Sequence, residues 1–301
     1  MSGSARPRRL RPGEALGYAM VSPALLVLMA ITGFPLVYNL WNSFHQFNLL
    51  QPGSGHPYVG LANYREVFSA GSGLAAALER TLGYAVVSVP IEVAAGLGLA
   101  LLLNRPARGR GAARSLLLLS WAVPTVLSAT VWKTILDPQT GGADYVLGLL
   151  HLPGAHTTWL GASTFLSWLS ILVADTWQVV PFVAVVLLAG LQGIPRDLYD
   201  AAALDGAGGW SVFRRITLPL LRPALLVVLV FRTLSAFLIF DIIYALTGGG
   251  PGTSTTTLSY VDWHTFLVNG DFGLGGAIAV VMVAVALIIA AIYRLALRPN
   301  T

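Results

Sequence analysis

Four ionisable side chains fall inside long apolar stretches of this sequence: Glu92, Asp175, Arg232 and Asp241. A charge inside a hydrocarbon-length helix is costly, so it marks a pathway, a water-filled cavity or a buried pairing. Arg232 and Asp241 are nine residues apart. At about 100° per residue that spacing leaves them half a turn off, on opposite sides of one helix, where they do not pair. Asp241 also falls near the end of its apolar stretch, where water reaches it. Glu92 reads first as a helix-packing group.

Little else in the chain can carry covalent chemistry. Lys133 is the sole lysine and follows Trp132, so no G-x-x-x-x-G-K-[ST] phosphate loop exists. Energy for any active process must come from another polypeptide or from an ion gradient. There are no cysteines, which excludes disulfides and thiolate sites. His45, His56, His151, His156 and His264 are scattered, and no metal motif or Gly-x-Ser-x-Gly elbow is present. The sequence therefore calls for no cofactor, no resident metal and no catalytic residue.

The elements that must position the four charges are membrane helices. Of 301 residues 55% are hydrophobic and only 10% charged, against about 25% charged in a soluble domain. The mean hydropathy is +0.72. These values exclude a soluble enzyme, a disordered chain and a coiled coil, and they predict an all-α integral membrane protein. A span needs about 20 apolar residues. Six stretches qualify: Leu16–Trp41, Thr81–Leu103, Leu116–Thr134, Phe165–Leu191, Pro223–Leu246 and Gly275–Leu297. A transmembrane barrel would show alternating strands of about ten residues, and these runs are longer and uniformly apolar. Arg6, Arg8, Arg9 and Arg11 precede the first stretch as they would in a signal peptide. Its apolar run exceeds an h-region and no cleavage site follows, so it reads as a retained helix.

Fourteen of the eighteen basic residues fall on one side of this topology: the N-terminal four; Arg105, Arg108, Arg110 and Arg114; Arg196, Arg214, Arg215 and Arg222; and Arg294 and Arg298. Excess Arg marks the cytoplasmic face, so both termini are expected inside. The topology accounts for the basic composition, and no nucleic-acid partner is needed. The first outer loop, Asn42–Arg80, is too short for a folded domain.

The connection after the fourth stretch carries the most specific pattern. Pro195 suits a helix start, Asp197 complements the dipole there, and Ala201, Ala202 and Ala203 leave a slim surface. Gly206, Gly208 and Gly209 can end the helix with a left-handed turn. A short helix outside the membrane follows. The full pattern is Asp200-Ala201-Ala202, Asp205-Gly206-Ala207, Phe213, then Leu218-Pro219. It resembles the EAA loop of ABC importer permeases. Asp200 stands where that family has Glu, which keeps the charge and shortens the reach. Further segments resemble the maltose-type sugar permeases, specifically the first of their two permease subunits: Asp175–Phe182, Phe237–Asp241, Thr247–Pro251, Thr255–Thr257 and Asp271–Leu274. The likeness runs from about Tyr18 to Leu297.

The resemblance implies a type I ABC importer permease fold. Residues 16–297 would form the transmembrane domain, with a coupling segment at 195–209 and cytoplasmic tails at 1–15 and 298–301. It implies a sugar path lined by Asp175, Gln178, Val179 and Phe182 before the loop and Arg232, Ser235, Ala236 and Ile239 after it. Both sets follow i, i+3, i+4, i+7 spacing, which puts each on one helical face. It implies ATPase coupling through Asp200, Ala201, Ala202, Asp205, Gly206, Ala207 and Phe213. The implied partners are a second homologous permease, an ATP-binding cassette ATPase dimer, and an extracytoplasmic sugar-binding protein or lipoprotein that engages the Gly248–Asp271 loops, in a bacterial or archaeal cell membrane. Arg232 either holds Asp175 across a helix gap or reads an anionic group, as in a glycerol-phosphate permease. An ion-coupled secondary transporter would use Glu92 and Asp175 instead, and a membrane-embedded enzyme would need a His/Asp/Glu cluster that the sequence lacks.

Overall fold

The structure is a computed structural model that describes residues 12–51, 53, 55–69, 71, 73–105, 109–151 and 157–296. Arg6, Arg8, Arg9, Arg11, Arg108, His156, Leu297 and the tail from Arg298 lie outside the described residues. Along the chain, α1 (Pro12–Leu28) passes through a π-helical turn (Met29–Gly33) into α2 (Phe34–Asn42). A short α3 (Ala62–Val67) precedes the long α4 (Leu74–Asn104). Then come α5 (Arg110–Ala122), α6 (Thr125–Ile135) and α7 (Gly142–Leu149), followed by α8 (Thr164–Gln192) and α9 (Arg196–Leu204). α10 (Gly209–Val212) runs through a second π-helical turn into α11 (Leu218–Phe237). α12 (Leu258–Trp263) and α13 (Phe272–Ala296) complete the order. Among the described residues the regular structure is helical apart from two isolated β-bridges.

Among the described residues five helices are long and apolar enough to cross a membrane: Ala19–Asn42, Leu74–Asn104, Thr164–Gln192, Gly209–Phe237 and Phe272–Leu295. The third expected span differs from the sequence reading. It is a pair, Gly111–Ala122 and Thr125–Ile135, bent by 93°, which makes a sixth span only when counted together. The cause is Pro124. It has no N–H to donate and disfavours the helical region for the residue before it, and Val123 is extended at φ −71°, ψ 130°. The fifth span is also corrected: regular helix stops at Phe237 rather than Leu246, and Leu238–Phe240 is non-helical before a further π-helical turn, Ile243–Thr247.

The chain divides into two compact units. One comprises residues up to Glu66 with Thr265–Val280. Within it Asn63 Nδ2 donates to the carbonyls of Ser43 and His45, and Phe47 packs on Phe272 with ring centroids 5.1 Å apart. The other unit, Val67–His264 with the chain from Val281, holds the four ionisable groups.

In that second unit α4, α8 and α11 pack through small residues. Two apolar clusters form around Ala85, Val89, Ile171 and Ala174, and around Ala100, Val183, Leu187 and Leu221. A Cβ at Gly96 would overlap the Val183 side chain and lie 3.3 Å from the Ala184 backbone nitrogen. Close backbone approach is how membrane helices gain dispersion contact when lipid is as apolar as they are. The N-terminus of α8 is capped by Ser163, whose hydroxyl accepts from the Leu166 N–H at 3.1 Å.

Gly96→Ala is expected to push α4 from α8, costing about 1–3 kcal/mol. At Gly98 a Cβ meets nothing within 4 Å, so Gly98→Ala should be neutral or stabilising by up to about 1 kcal/mol. Thermal midpoints of the two variants in detergent check this; equal midpoints would remove the close-packing argument.

Candidate functional site: a polar cavity between two helix breaks

α4, α8 and α11 meet at one charged cluster. Arg232 on α11 donates from Nε to Glu92 Oε2 at 2.7 Å and from Nη2 to Glu92 Oε1 at 2.8 Å. Its Nη2 also reaches Asp175 Oδ2 at 3.2 Å. The same Asp175 oxygen accepts from the Tyr84 hydroxyl at 2.6 Å. Glu92 is fully buried, and Arg232 and Asp175 nearly so. At 1.5 Å per residue, Asp175 lies about 17 Å from the start of α8, and Glu92 about 27 Å from the start of α4. Both are near mid-helix.

The expected pairing of Arg232 with Asp175 is therefore present but secondary. The bidentate fork goes to Glu92, which sequence reasoning treated as packing. Tyr84 was not anticipated at all. The signal available was the α4 stripe Tyr84, Ser88, Glu92, Gly96, spaced at i+4 and entirely buried.

Beside the cluster lies a cavity of about 500 Å³. Seven of the eight residues expected on a sugar path line it: Asp175, Gln178, Val179, Phe182, Arg232, Ser235 and Ile239. Ala236 does not. It is turned into the apolar cluster with Ala174 and Ile243, because that face of α11 packs on its neighbours. Asp241, read as a wet outer residue, also borders the cavity and is exposed.

The helix breaks form much of the remaining wall, which the spacing argument missed. Trp121, Val123, Pro124 and Thr125 come from the α5–α6 bend, and Leu238 and Phe240 from the gap after α11. A broken helix exposes backbone groups that hydrocarbon cannot satisfy, so such breaks persist only against protein or a polar cavity. Gln178 Nε2 donates to the Val123 carbonyl at 2.8 Å, and Thr257 Oγ1 donates to the Ile239 carbonyl at 3.0 Å. Gln178 Oε1 is buried with no partner among the described residues. Trp121, Phe182 and Phe231 make an aromatic row, with centroids 5.2 and 5.0 Å apart.

The Thr255–Thr257 segment is folded inward rather than presented as a loop surface. Thr255 and Thr257 are fully buried. Arg80 Nε and Nη2 donate to the Thr256 carbonyl and hydroxyl at 3.0 and 2.9 Å, and Trp168 Nε1 donates to the Ser254 carbonyl at 3.2 Å.

The short outer helix is α9. Pro195 sits one residue before its first turn (φ −58°, ψ 134°). Gly206 ends it at φ +72°. The Ala207 N–H donates to the Ala202 carbonyl at 2.9 Å and the Gly206 N–H to Ala203 at 3.1 Å, a Schellman ending. Gly208 and Gly209 do not share in it: Gly208 is extended and Gly209 starts α10. Among the residues expected to couple, Asp200, Ala201, Asp205 and Gly206 are exposed, and Ala207 and Phe213 are half-buried. Ala202 is buried against its own chain, since it lies on the face of α9 that packs inward. Leu204 and Trp210 are 90% and 72% exposed.

Broken helices around a polar cavity near mid-helix, with a capped helix in the connection beyond, define a membrane transport protein. Comparison with known proteins narrows this. Residues 92–300 match the family model described as binding-protein-dependent transport system inner membrane component, and the chain belongs to that family of ABC importer permease subunits. It is 40% identical over 286 residues to the trehalose/maltose transport system permease protein MalF of Thermococcus litoralis, covering 95% of each chain. It is 36% identical over 278 residues to the trehalose transport system permease protein SugA of Mycobacterium tuberculosis, covering 92% of this chain and 87% of that one. The fold matches a subunit in the crystal structure of a bacterial ABC transporter involved in the import of the acidic polysaccharide alginate. The TM-score is 0.82 with 23% identity, covering 96% and 97% of the two chains.

Leaving one member of a buried ion pair unpaired costs about 3–5 kcal/mol. Arg232→Gln and Glu92→Gln should each destabilise the protein by that order, lowering the thermal midpoint and the protein level. Asp175→Asn should cost less, because Arg232 keeps both bonds to Glu92. The double variant Glu92→Gln/Arg232→Gln should be milder than the sum of the singles. Additive losses in melting experiments would show that the two residues are not coupled.

Proposed function

We propose that this chain is the translocation subunit of an ATP-driven carbohydrate importer, in which residues 16–297 form half of the transmembrane pathway. The observation that carries the reading is the chemistry of the cavity. Asp175, Gln178 and Ser235 supply hydrogen-bonding groups for hydroxyls, and Trp121, Phe182 and Phe231 supply apolar faces for C–H surfaces. A volume of about 500 Å³ is in the range of small-molecule sites. The relatives named for trehalose and maltose transport support the same substrate class. A glycerol-phosphate-type cargo is not favoured, since the guanidinium of Arg232 is already held by carboxylates.

In this reading a second permease completes the pathway, an extracytoplasmic binding protein delivers the sugar, and an ATPase dimer supplies energy. The segment 195–209 docks on the ATPase. Support comes from the exposed apolar side chains Leu204 and Trp210 beside Asp200, Asp205 and Gly206. ATPase closure displaces α9, and the bundle alternates between faces of the membrane. The termini, including tails 1–15 and 298–301, lie in the cytoplasm. No bond of the sugar is made or broken in this chain.

Uptake by cells carrying the chain with its genomic neighbours tests the reading. A neutral disaccharide should accumulate, and inactivating the ATPase phosphate-loop lysine should abolish accumulation. Gly206→Val places a β-branched residue at φ +72° and should uncouple ATP hydrolysis from uptake or block assembly. Gly206→Asn tolerates that conformation and should retain transport. Uptake that persists with the inactive ATPase would favour an ion-coupled carrier.

Orientation is tested separately, because the chain has no native cysteine. Cysteines at the exposed positions Gly208 and Thr253 should label from the cytoplasm and from outside, respectively. Labelling of both from one side would refute the topology.

A further inference from the structure

We infer that Glu92, although it does not border the cavity, makes the pathway selective against anionic carbohydrates. The inference rests on the carbohydrate reading above and adds a charge rule to it.

An arginine on a cavity wall would ordinarily attract carboxylates or phosphates, because its planar fork matches them in a bidentate way. Here the Nε–Nη2 fork is already occupied. Both bonds of the Nε–Nη2 edge go to Glu92, at 2.7 and 2.8 Å. Glu92 approaches from α4, away from the cavity lining, and is fully buried. Nη2 makes a further bond to Asp175, whose orientation is fixed by the Tyr84 hydroxyl. One guanidinium thus serves two carboxylates.

A third carboxylate, Asp241, borders the same cavity and forms no ion pair among the described residues. Even if one of the three carboxylates holds a proton, no unpaired positive charge remains on this wall. An acidic sugar entering the cavity would leave water without gaining a cation, and it would face Asp175 and Asp241 at reduced dielectric. A neutral sugar meets no such opposition, since its hydroxyls can donate to the carboxylate and amide oxygens. Glu92 is therefore a positioning residue. It acts through Arg232 by keeping that cation in the helix interface.

The test is equilibrium binding to the full-length chain in lipid nanodiscs. The probes are maltose and trehalose, each compared with the analogue in which one hydroxymethyl group is oxidised to a carboxylate. Each neutral sugar should bind at least about tenfold more tightly than its uronate at low salt. High salt should narrow the ratio by screening. Asp241→Asn should narrow it by removing one repulsive charge. Glu92→Gln should erase or invert it by freeing the Arg232 fork, and a merely structural role for Glu92 would leave the ratio unchanged. If Glu92→Gln fails to accumulate, Glu92→Asp, which keeps the charge and draws the carboxylate back from the Arg232 fork, should narrow the ratio, and an unchanged ratio there would overturn the role of Glu92. Equal binding of sugar and uronate by the unmodified chain at low salt would overturn the charge rule alone. Failure of both neutral sugars to bind would overturn the carbohydrate reading and the rule with it.

Discussion

Taking a guanidinium and two carboxylates out of water costs several kcal/mol per ion, and this bundle is arranged around recovering that cost. The recovery needs geometry that no single helix can supply. Glu92 comes from α4, Asp175 from α8 and Arg232 from α11, and the fork at 2.7 and 2.8 Å tolerates little sliding of one helix past another. The small residues at Gly96 and Gly190 allow the backbones to come close enough for the short Asp175 and Glu92 side chains to reach. Packing and electrostatics are thus one constraint. An apolar interface between these helices would admit several registers, whereas the cluster admits one.

The two helix breaks follow a related rule. Each frees a carbonyl where lipid offers no donor. The Val123 carbonyl is taken by Gln178 and the Ile239 carbonyl by Thr257. The breaks turn backbone and aromatic side chains toward the cavity while leaving these acceptors satisfied. Gln178 does two things at once: its amide nitrogen holds the α5–α6 bend, and its side chain forms part of the wall. The polar wall and the bend that shapes it are therefore supported by the same residue.

What could be read from the sequence follows from locality. Apolar length gives the spans, and the Gly206 ending of α9 is encoded within a dozen residues. The exclusion of an Arg232–Asp241 pair needed only helical periodicity. Choosing between Glu92 and Asp175 for Arg232 needed the relative rotation of three helices, which one-dimensional spacing does not contain. The Val123–Pro124 break has a local signal, a proline inside an apolar run, but that signal is not sufficient alone, since Pro90 and Pro181 lie inside continuous helices. The break after Phe237 was not, because Leu238, Ile239 and Phe240 are neither proline nor glycine and the cap arrives from Thr257, eighteen residues later. Ala236 shows the limit of a spacing rule. It shares the i, i+3, i+4, i+7 stripe with Arg232, Ser235 and Ile239, yet the stripe is wide enough for one edge to face the core.

The same cluster bears on how the outer helix is connected to the cavity. The chain leaves Asp175 along α8, passes through α9, and returns along α11 to Arg232. α9 is thus the link between two helices that an ion pair already joins further along their length. It is not loosely attached: Ile194 and Tyr199 belong to or pack on the α8–α11 apolar cluster, and the Tyr199 hydroxyl lies 3.2 Å from Thr217 Oγ1 at the foot of α11. Under the proposed docking, force applied at α9 would reach both helices through rigid elements. Sliding α8 against α11 would strain the Arg232–Asp175 contact at 3.2 Å before the Arg232–Glu92 fork, because the single longer bond is the weaker one. α11 would then stay with α4 while α8 yields. Because Gln178 sits one turn from Asp175 on α8, movement of that helix would also shift the hand that holds the Val123 carbonyl, carrying the α5–α6 bend and the cavity wall with it.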